Sequence, residues 1–283
     1  MNCRAVKTAL VVEGGAMRGI FAAGVLDRFL EDGFQPFDFV VGVSAGAINA
    51  AAFLAGQKGR NLEVFTKYSL YPEYINWRKF VTGGHLLDLD WLWDITTKKL
   101  PINTNILFAN SVDFEIGVSL NINGSSRFIR PNAENLSHVM KASCTVPLFY
   151  RNYLKIDGQT VSDGGVSAPI PINRAVEKGA LKIMVIRSRS KDYRMKQGME
   201  NKLSRFLFRN HPGLSKAIQN RPEVYNSSID FIQNPPKNIK IVDVCPPNTF
   251  RTKRFTKDFQ TLMDDYHLGV ESGDKAIFEW NSI

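Results

Sequence analysis

The hydrophobic positions in the first 55 residues predict alternating strands and helices. Residues 7–12 form a short apolar run that ends at Gly14 and Gly15, and from Ile20 apolar residues recur at helical spacing up to Gly33. The apolar run at 39–43 is typical of a strand buried on both faces, and the small residues at 47–55 predict a helix after it. This alternation indicates an α/β fold with a mostly parallel central sheet and helices on both faces.

The later part of the chain predicts two hairpins and further strands and helices. Apolar residues alternate with polar or small ones at 114–122, and the turn Asn123-Gly124 returns the chain to Phe128. A second hairpin is expected at 153–161. Helices are expected at 135–142, 172–178 and 258–278, and strands at 183–186 and 239–244. Residues 190–235 look basic and irregular, apart from an amphipathic helix at about 199–208.

Aromatic side chains crowd the stretch 61–108, which holds three of the four Trp residues. Such a stretch can line an apolar binding pocket or form a lid. It can equally be a satellite core around a helical insertion, and the sequence does not separate these interpretations.

Composition places the chain among ordinary globular proteins. It has 283 residues, of which 44% are hydrophobic and 22% are charged, so disordered, collagen-like and coiled-coil classes are excluded. The three cysteines, at 3, 144 and 245, form no CxxC pair, which fits a reducing compartment better than a disulfide framework or a zinc cluster. No secretory signal is visible, and the most apolar stretch, 45–55, is shorter than the roughly 20 residues of a membrane span. We expect a cytoplasmic protein, at most peripheral at the inner face of the membrane.

Positive charge is concentrated in one segment. Residues 182–221 contain eleven Lys or Arg and two acids, so this segment accounts for the whole net charge of +9. It can be a solvated surface, or it can contact an anionic membrane or nucleic acid. No nucleic-acid recognition motif accompanies it, and the amphipathic helix within it suits a membrane interface, so nucleic acid is not expected as a partner.

The first chemical motif is Gly42-x-Ser44-x-Gly46, which lies between the second predicted strand and the small-residue helix. A nucleophilic serine must project from a sharp turn, and the flanking glycines let the strand and the helix pass close together. The serine would then stand at the positive end of a helix.

The second motif is the turn Glu13-Gly14-Gly15-Ala16-Met17-Arg18-Gly19, directly after the first strand. A dinucleotide-binding turn would need glycine where Ala16 stands and an acidic residue at the end of the second strand. Both are missing, so an oxyanion hole, in which backbone N–H groups face a developing negative oxygen, is the better interpretation.

The third motif is Asp163-Gly164-Gly165, which in isolation usually marks only a turn. Ser44 needs a base, however, and none of the four histidines stands at a clear strand end followed by a turn: His85, His138, His211 and His267. A Ser-Asp pair without histidine is therefore the economical hypothesis.

In this order the three motifs resemble the patatin-like phospholipases and, more narrowly, the bacterial branch of patatin-like proteins. The resemblance covers most of 7–190 and includes the segments 86–90 and 142–149. It implies a patatin-like three-layer sandwich with the serine on a strand-turn-helix elbow. It also implies that Ser44 is the nucleophile, that Asp163 is its base, and that Gly14, Gly15, Ala16 and Arg18 form the oxyanion turn. Gly19, Gly42, Gly46, Gly164 and Gly165 support these motifs.

The resemblance implies hydrolysis of lipid carboxylic esters, as by a phospholipase A or lysophospholipase, with no metal or other cofactor. Alternatives are a non-catalytic lipid- or protein-binding protein of this fold and a lipid acyltransferase. The chain departs from the family at Ala16, where a third glycine is usual, and the methyl group there could narrow the oxyanion pocket or forbid a positive φ. We expect a catalytic domain at 1–190, with 61–108 as a lid or insertion, and a basic extension at 191–283 packed on it.

Overall fold

The computed structural model describes residues 7–283, and in this range eight strands form one mixed sheet. The strands are β1 (Thr8–Val12), β2 (Phe39–Val43), β3 (Asp113–Leu120), β4 (Ser126–Ile129), β5 (Leu154–Ile156), β6 (Gln159–Asp163), β7 (Lys182–Ile186) and β8 (Lys240–Val244). Their order is β5-β6-β3-β2-β1-β7-β8, and β4 pairs with β3.

The centre of the sheet is parallel, as its continuous apolar strands predict. Strands β3, β2, β1, β7 and β8 all pair in parallel, whereas β4, β5 and β6 pair antiparallel. Every residue of β2 is buried, because helices cover both faces of the sheet. The α/β fold and the mostly parallel sheet are confirmed.

Eleven α-helices are found within 7–283. They are α1 (Gly19–Glu31), α2 (Ala45–Leu54), α3 (Arg60–Thr66), α4 (Trp77–Val81), α5 (Leu89–Lys99), α6 (Thr104–Ala109), α7 (Leu136–Ser143), α8 (Ile172–Glu177), α9 (Met199–Leu207), α10 (Pro212–Gln233) and α11 (Phe259–Ser282). Helices α3 to α6 make up most of the aromatic-rich stretch, and α9 corresponds to the expected amphipathic helix.

Helix α10 corrects the expectation that 190–235 is largely irregular, because 22 of these residues form one helix. Pro212 occupies the first turn, where its missing N–H is not needed. Leu214, Ile218, Tyr225 and Ile229 are buried at helical spacing. The polar and basic residues between them, together with Pro222 inside the helix, concealed this apolar face in the sequence.

Residues after 190 add to the same sheet and helix layers. Strand β8 extends the sheet beyond β7, and α11 packs along α1. Trp280 of α11 is buried in edge-to-face contact with Phe34 and Phe37. The division into 1–190 and 191–283 stays a prediction.

Candidate active site

Ser44 lies on a strained turn between β2 and α2. Its φ is 54° and its ψ is −132°, a conformation that costs a residue with a side chain about 1–3 kcal/mol. The turn is tight because the start of α2 approaches the end of β1: a Cβ on Gly46 would lie 2.4 Å from the carbonyl oxygen of Val12. Glycine is therefore required at 46, and Ser44 occupies the N-cap position at the positive end of α2, without a capping hydrogen bond from its side chain.

The register of β3 brings Asp163 beside this turn. Gly117 pairs with Val43 of β2, and the next residue of β3, Val118, pairs with Asp163 of β6. Both residues also pair with β4, so β2 and β6 share the other edge of β3 and meet there end to end. The last residues of β2 and β6 are thus neighbours, which brings together Ser44 and Asp163, 119 positions apart in the chain. The approach is close, since a Cβ on Gly164 would lie 2.1 Å from the Gly117 carbonyl oxygen.

The two side chains are joined by a short buried hydrogen bond. Ser44 Oγ donates to Asp163 Oδ2 at 2.7 Å, and the Gly165 N–H donates to Asp163 Oδ1 at 2.7 Å. Burial raises the pKa of Asp163, and the hydrogen bonds from Ser44 and Gly165 oppose part of that rise. A carboxylate with a raised pKa is a better proton acceptor than a free aspartate.

Two residues beside Ser44 were not singled out as site residues by sequence reasoning. Ser143 Oγ accepts the Ser44 N–H at 2.8 Å and donates to the Gly117 carbonyl at 2.6 Å, which ties the elbow to β3. Cys144 lines the same cavity as Ser44, and its burial and the nearby Asp163 carboxylate raise its pKa well above the usual range. Cys144 therefore remains a neutral thiol at neutral pH.

The glycine-rich turn lies against Ser44. Within 7–283, no hydrogen-bond acceptor is placed for the N–H groups of Gly14 and Gly15, and both residues line the recess that holds Ser44 and Asp163. Ala16 has a φ of 49°, so its methyl group does not prevent the left-handed conformation that the turn adopts. The carbonyl of Gly19 accepts a hydrogen bond from Asn49 of α2 at 2.8 Å, which fixes the turn to the helix that carries Ser44.

Arg18 and Glu13 flank the turn as buried charges. Arg18 is 7% exposed and Glu13 is 4% exposed. Glu13 Oε2 accepts the Ser188 N–H at 2.7 Å, and burial raises the Glu13 pKa. Ser188 follows β7, so this contact joins the turn to the end of the neighbouring strand. Glu13 and Ser188 are 175 residues apart in the chain, so no local sequence pattern predicts their contact.

An apolar cavity also reaches Ser44. A space of about 50 Å³ is lined by Ser44, Ala45 and apolar side chains of the aromatic-rich stretch, including Phe65, Tyr74 and Leu87. A second space of about 170 Å³ shares four lining residues with it: Ile48, Val64, Leu92 and Trp93. The aromatic-rich stretch thus provides both a satellite core and the wall of a pocket that reaches Ser44.

The four histidines have other contacts. His85 stacks on Tyr150 and accepts the Arg151 N–H, His138 bonds the Lys155 carbonyl, His211 stacks on Tyr153, and His267 is exposed beside Tyr266. None of the four lines the recess that contains Ser44 and Asp163. Ser44 Oγ thus has Asp163, and no imidazole, as its hydrogen-bond acceptor.

Two structural features are absent from residues 7–283. No helix there has both the length and the apolar character needed to cross a bilayer. No group of three or more His, Cys, Asp or Glu side chains there is placed to hold a metal ion.

Comparison with known proteins identifies two regions. The Patatin-like phospholipase model matches residues 10–176, and the model called Domain of unknown function (DUF6363) matches residues 211–283. The chain is 33% identical over 267 residues to "Uncharacterized protein YjjU" of Escherichia coli. This alignment covers 93% of this chain and 75% of that protein. The chain is also 24% identical over 294 residues to "Lysophospholipase NTE1" of Debaryomyces hansenii. That alignment covers 96% of this chain and 18% of that protein.

Among solved structures, VipD from Legionella pneumophila aligns with 97% of this chain and 67% of its own, at 12% identity and a TM-score of 0.45. The patatin-like model, by contrast, spans more than half of the chain and contains both Ser44 and Asp163. Together with the similarity to YjjU over most of both proteins, this match shows that the chain belongs to the patatin-like phospholipase family.

Proposed function

We propose that the protein is a serine hydrolase of lipid carboxylic esters that uses Ser44 and Asp163 as its catalytic pair. Ser44 Oγ attacks the ester carbonyl while Asp163 accepts its proton, and the protonated carboxyl then protonates the departing alcohol. Water attacks the acyl-enzyme in the second half of the reaction, with Asp163 again as base, and releases the fatty acid. The observation that carries this proposal is the buried 2.7 Å hydrogen bond from Ser44 to Asp163.

The N–H groups of Gly14 and Gly15 are the proposed oxyanion donors. Both glycines line the recess and their N–H groups have no acceptor within 7–283, whereas the Ser44 N–H is already bonded to Ser143. Donors aimed at the developing oxyanion are worth about 100- to 1000-fold in rate each. Arg18 adds positive field at the same turn.

The apolar cavity is the proposed acyl-chain site. It opens beside Ser44 and is walled by aliphatic and aromatic side chains, so an acyl chain that enters it leaves water. The recess that also contains Ser44 is polar, because Glu13, Arg18, Arg221 and Arg254 line it. A substrate with an apolar tail and a polar head fits this arrangement in one orientation.

Helix α9 is the proposed contact with anionic membranes. Met199, Leu203 and Phe206 are exposed on it, next to Lys202 and Arg205. Residues Met199 and Glu200 also line a cavity beside the glycine-rich turn, so a membrane bound at α9 would lie close to the site.

Labelling by a fluorophosphonate tests the catalytic proposal, since this reagent reacts with activated serines. We expect the wild-type chain to be labelled and to hydrolyse lysophospholipid esters, and Ser44→Ala to do neither while its far-UV circular dichroism is unchanged. An unlabelled, inactive wild-type chain would instead favour a non-catalytic binding protein. Transfer of the acyl group to an added alcohol, without release of fatty acid, would favour an acyltransferase.

The membrane proposal has a matched pair of variants. Phe206 and Phe278 are 76% and 77% exposed, but only Phe206 lies on α9. Phe206→Ser should weaken co-sedimentation with anionic phosphatidylglycerol vesicles about tenfold, and Phe278→Ser should leave it unchanged. Equal binding to neutral vesicles, or equal loss in both variants, would contradict the proposal.

A further inference from the structure

A second, polar cavity of about 310 Å³ lies beside the glycine-rich turn. It shares Glu13, Arg18, Glu200, Arg221 and Arg254 with the recess that contains Ser44, so it adjoins the reacting hydroxyl. Five cationic side chains line it: Arg18, Arg189, Lys196, Arg221 and Arg254. Three of its arginines lie outside the residues matched by the patatin-like model, and two of these lie within the second matched region.

Neighbouring groups hold three of these guanidinium groups in place. Arg221 Nε donates to the Gly165 carbonyl at 2.7 Å, directly beside Asp163. The guanidinium carbon of Arg189 lies 4.5 Å from the centre of the Tyr193 ring, and that of Arg254 lies 5.8 Å from the centre of the Phe149 ring. The positive groups are therefore arranged before a ligand arrives, which lowers the entropy that binding must overcome.

Acids balance the charge of these arginines only in part. Glu13 attracts Arg18, and the carboxylates of Glu200 and Asp163 attract Arg254. Within 7–283, none of Arg18, Arg189, Arg221 and Arg254 forms an ion pair, and the buried Arg18 Nε has no hydrogen-bond partner. Burial, and then repulsion from Arg189, lower the pKa of Arg18 to about 9. Burial, and then repulsion from Arg221, also lower the pKa of Arg254. Cations that repel one another in a cavity form a site that an anion would stabilise.

Two acids line the cavity and leave its charge positive. Glu13 is engaged with the Ser188 N–H, and Glu200 stands at the start of α9. Five cations against two acids favour a ligand that carries two negative charges. A phosphomonoester carries about two at neutral pH, because its second pKa is near 6. Guanidinium groups also match the oxygen geometry of phosphate.

We infer that this cavity binds the phosphomonoester of the substrate lipid, and that Arg189, Arg221 and Arg254 therefore select acylglycerol phosphates. The phosphate would lie in the polar cavity while the acyl chain occupies the apolar cavity. A zwitterionic head group fits less well, because its ammonium group would be repelled by the same arginines. This inference rests on the proposed ester hydrolysis at Ser44.

Binding to the Ser44→Ala variant tests the inference without turnover. The probes share one acyl chain: 1-oleoylglycerol 3-phosphate, 1-oleoylglycerol 3-phosphocholine and 1-oleoylglycerol, each titrated calorimetrically below its micelle concentration. We expect the phosphomonoester to bind about 10- to 100-fold more tightly than the other two, as several charge-assisted hydrogen bonds would give. Its affinity should also fall between pH 7 and pH 5, as the phosphate takes up a proton.

Arginine variants of the otherwise wild-type chain test which residues select the phosphate. Arg189→Gln and Arg254→Gln should each lower the ratio of kcat/KM for the phosphomonoester to kcat/KM for 1-oleoylglycerol about tenfold or more. The ratio is the readout because Arg254 also lines the recess that contains Ser44 and Asp163, so its loss changes the hydrolysis of both esters. Arg251→Gln is the matched control: it lies three residues from Arg254 but pairs with Asp264 outside the cavity. It should leave kcat/KM for both substrates unchanged.

The outcomes separate this inference from the proposed function. Equal losses on both substrates in the Arg189 and Arg254 variants would overturn the selectivity. Tight binding of inorganic phosphate with no preference for the phosphate-bearing lipid would also overturn it, because the ligand would then be a free anion. Arginine-dependent binding of the phosphomonoester by a chain that hydrolyses no ester would support the site and reject the hydrolase. Hydrolysis of all three esters at rates that do not depend on the arginines would support the hydrolase and reject the phosphate site.

Discussion

Replacement of Asp163 by Asn should abolish activity and at the same time stabilise the fold. The variant keeps the shape of the side chain but cannot accept the Ser44 proton. Because a direct base is lost, kcat should fall about 1000-fold or more. The same residue is buried beside Ser44, where its charge is unfavourable, so the neutral amide removes an energetic cost of folding.

The size of the stabilisation follows from the contacts of the carboxylate. Asp163 accepts two hydrogen bonds, from Ser44 Oγ and from the Gly165 N–H. An Asn side chain can keep both, with its oxygen facing Gly165 and its amide donating to Ser44 Oγ. Removal of an unfavourable buried charge from an active site is worth about 0.5–2 kcal/mol, or roughly 1–3 °C in Tm for a chain of this size.

The gain should depend on pH with a definite sign. Since the pKa of Asp163 is raised in the folded state, the folded wild-type chain holds a proton that the unfolded chain releases, and wild-type stability falls as pH rises between the two pKa values. The stability of the Asn variant does not fall in this way, because its amide does not titrate. The stability of the Asn variant relative to wild type should therefore be near zero below the unfolded pKa of about 3.9 and reach its full value above the folded pKa.

Thermal melts of both chains at several pH values, with ester hydrolysis at each pH, measure these effects. Wild-type activity should decline as pH falls through the raised pKa, because the base becomes protonated. A folded Asn variant that keeps a tenth of wild-type activity would remove Asp163 as the base. A variant less stable than wild type at pH 8 would refute the argument from the buried charge.

Three further predictions concern the histidines, the oxyanion turn and the acyl cavity. Each of the four histidines, changed singly to Gln, should cost less than about tenfold in kcat. The four variants are His85→Gln, His138→Gln, His211→Gln and His267→Gln. A folded variant that loses a thousandfold would show that the mechanism uses a triad with that histidine and not the Ser-Asp pair. Ala16→Gly should raise Tm slightly and preserve kcat. Ala16 has a positive φ that costs about 1–2 kcal/mol, which is more than the free energy that the extra chain entropy of glycine costs on folding. A lower Tm in this variant would contradict the prediction. Val64→Phe should narrow the junction of the two apolar cavities and lower the ratio of long-chain to short-chain ester hydrolysis about tenfold. An unchanged ratio would place the acyl chain elsewhere.

The sequence by itself determined most elements of the fold and the motifs of the site. Strand β2 is recognisable because four of its five residues are Phe or Val and none is polar, which is typical of a strand buried on both faces. The serine elbow and the glycine-rich turn are recognisable because each depends on neighbours within a few residues. Helix α10 was not predicted, because polar residues lie between its buried apolar residues along the sequence and Pro222 stands inside it. Only the packing against the sheet and the adjacent helices defines its buried face.

The sequence suggested Ser44 and Asp163 as a pair, but only the tertiary structure brings these and other distant side chains into contact. The hydrogen bond between Ser44 and Asp163 depends on consecutive residues of β3, Gly117 and Val118, that pair with the ends of two different strands. The arginine-lined cavity depends on a turn, a loop, a helix and a second loop that converge on one side of Ser44. No local pattern announces such an encounter, because strand register and helix packing are settled by burial over the whole sheet and not by the sequence near each residue.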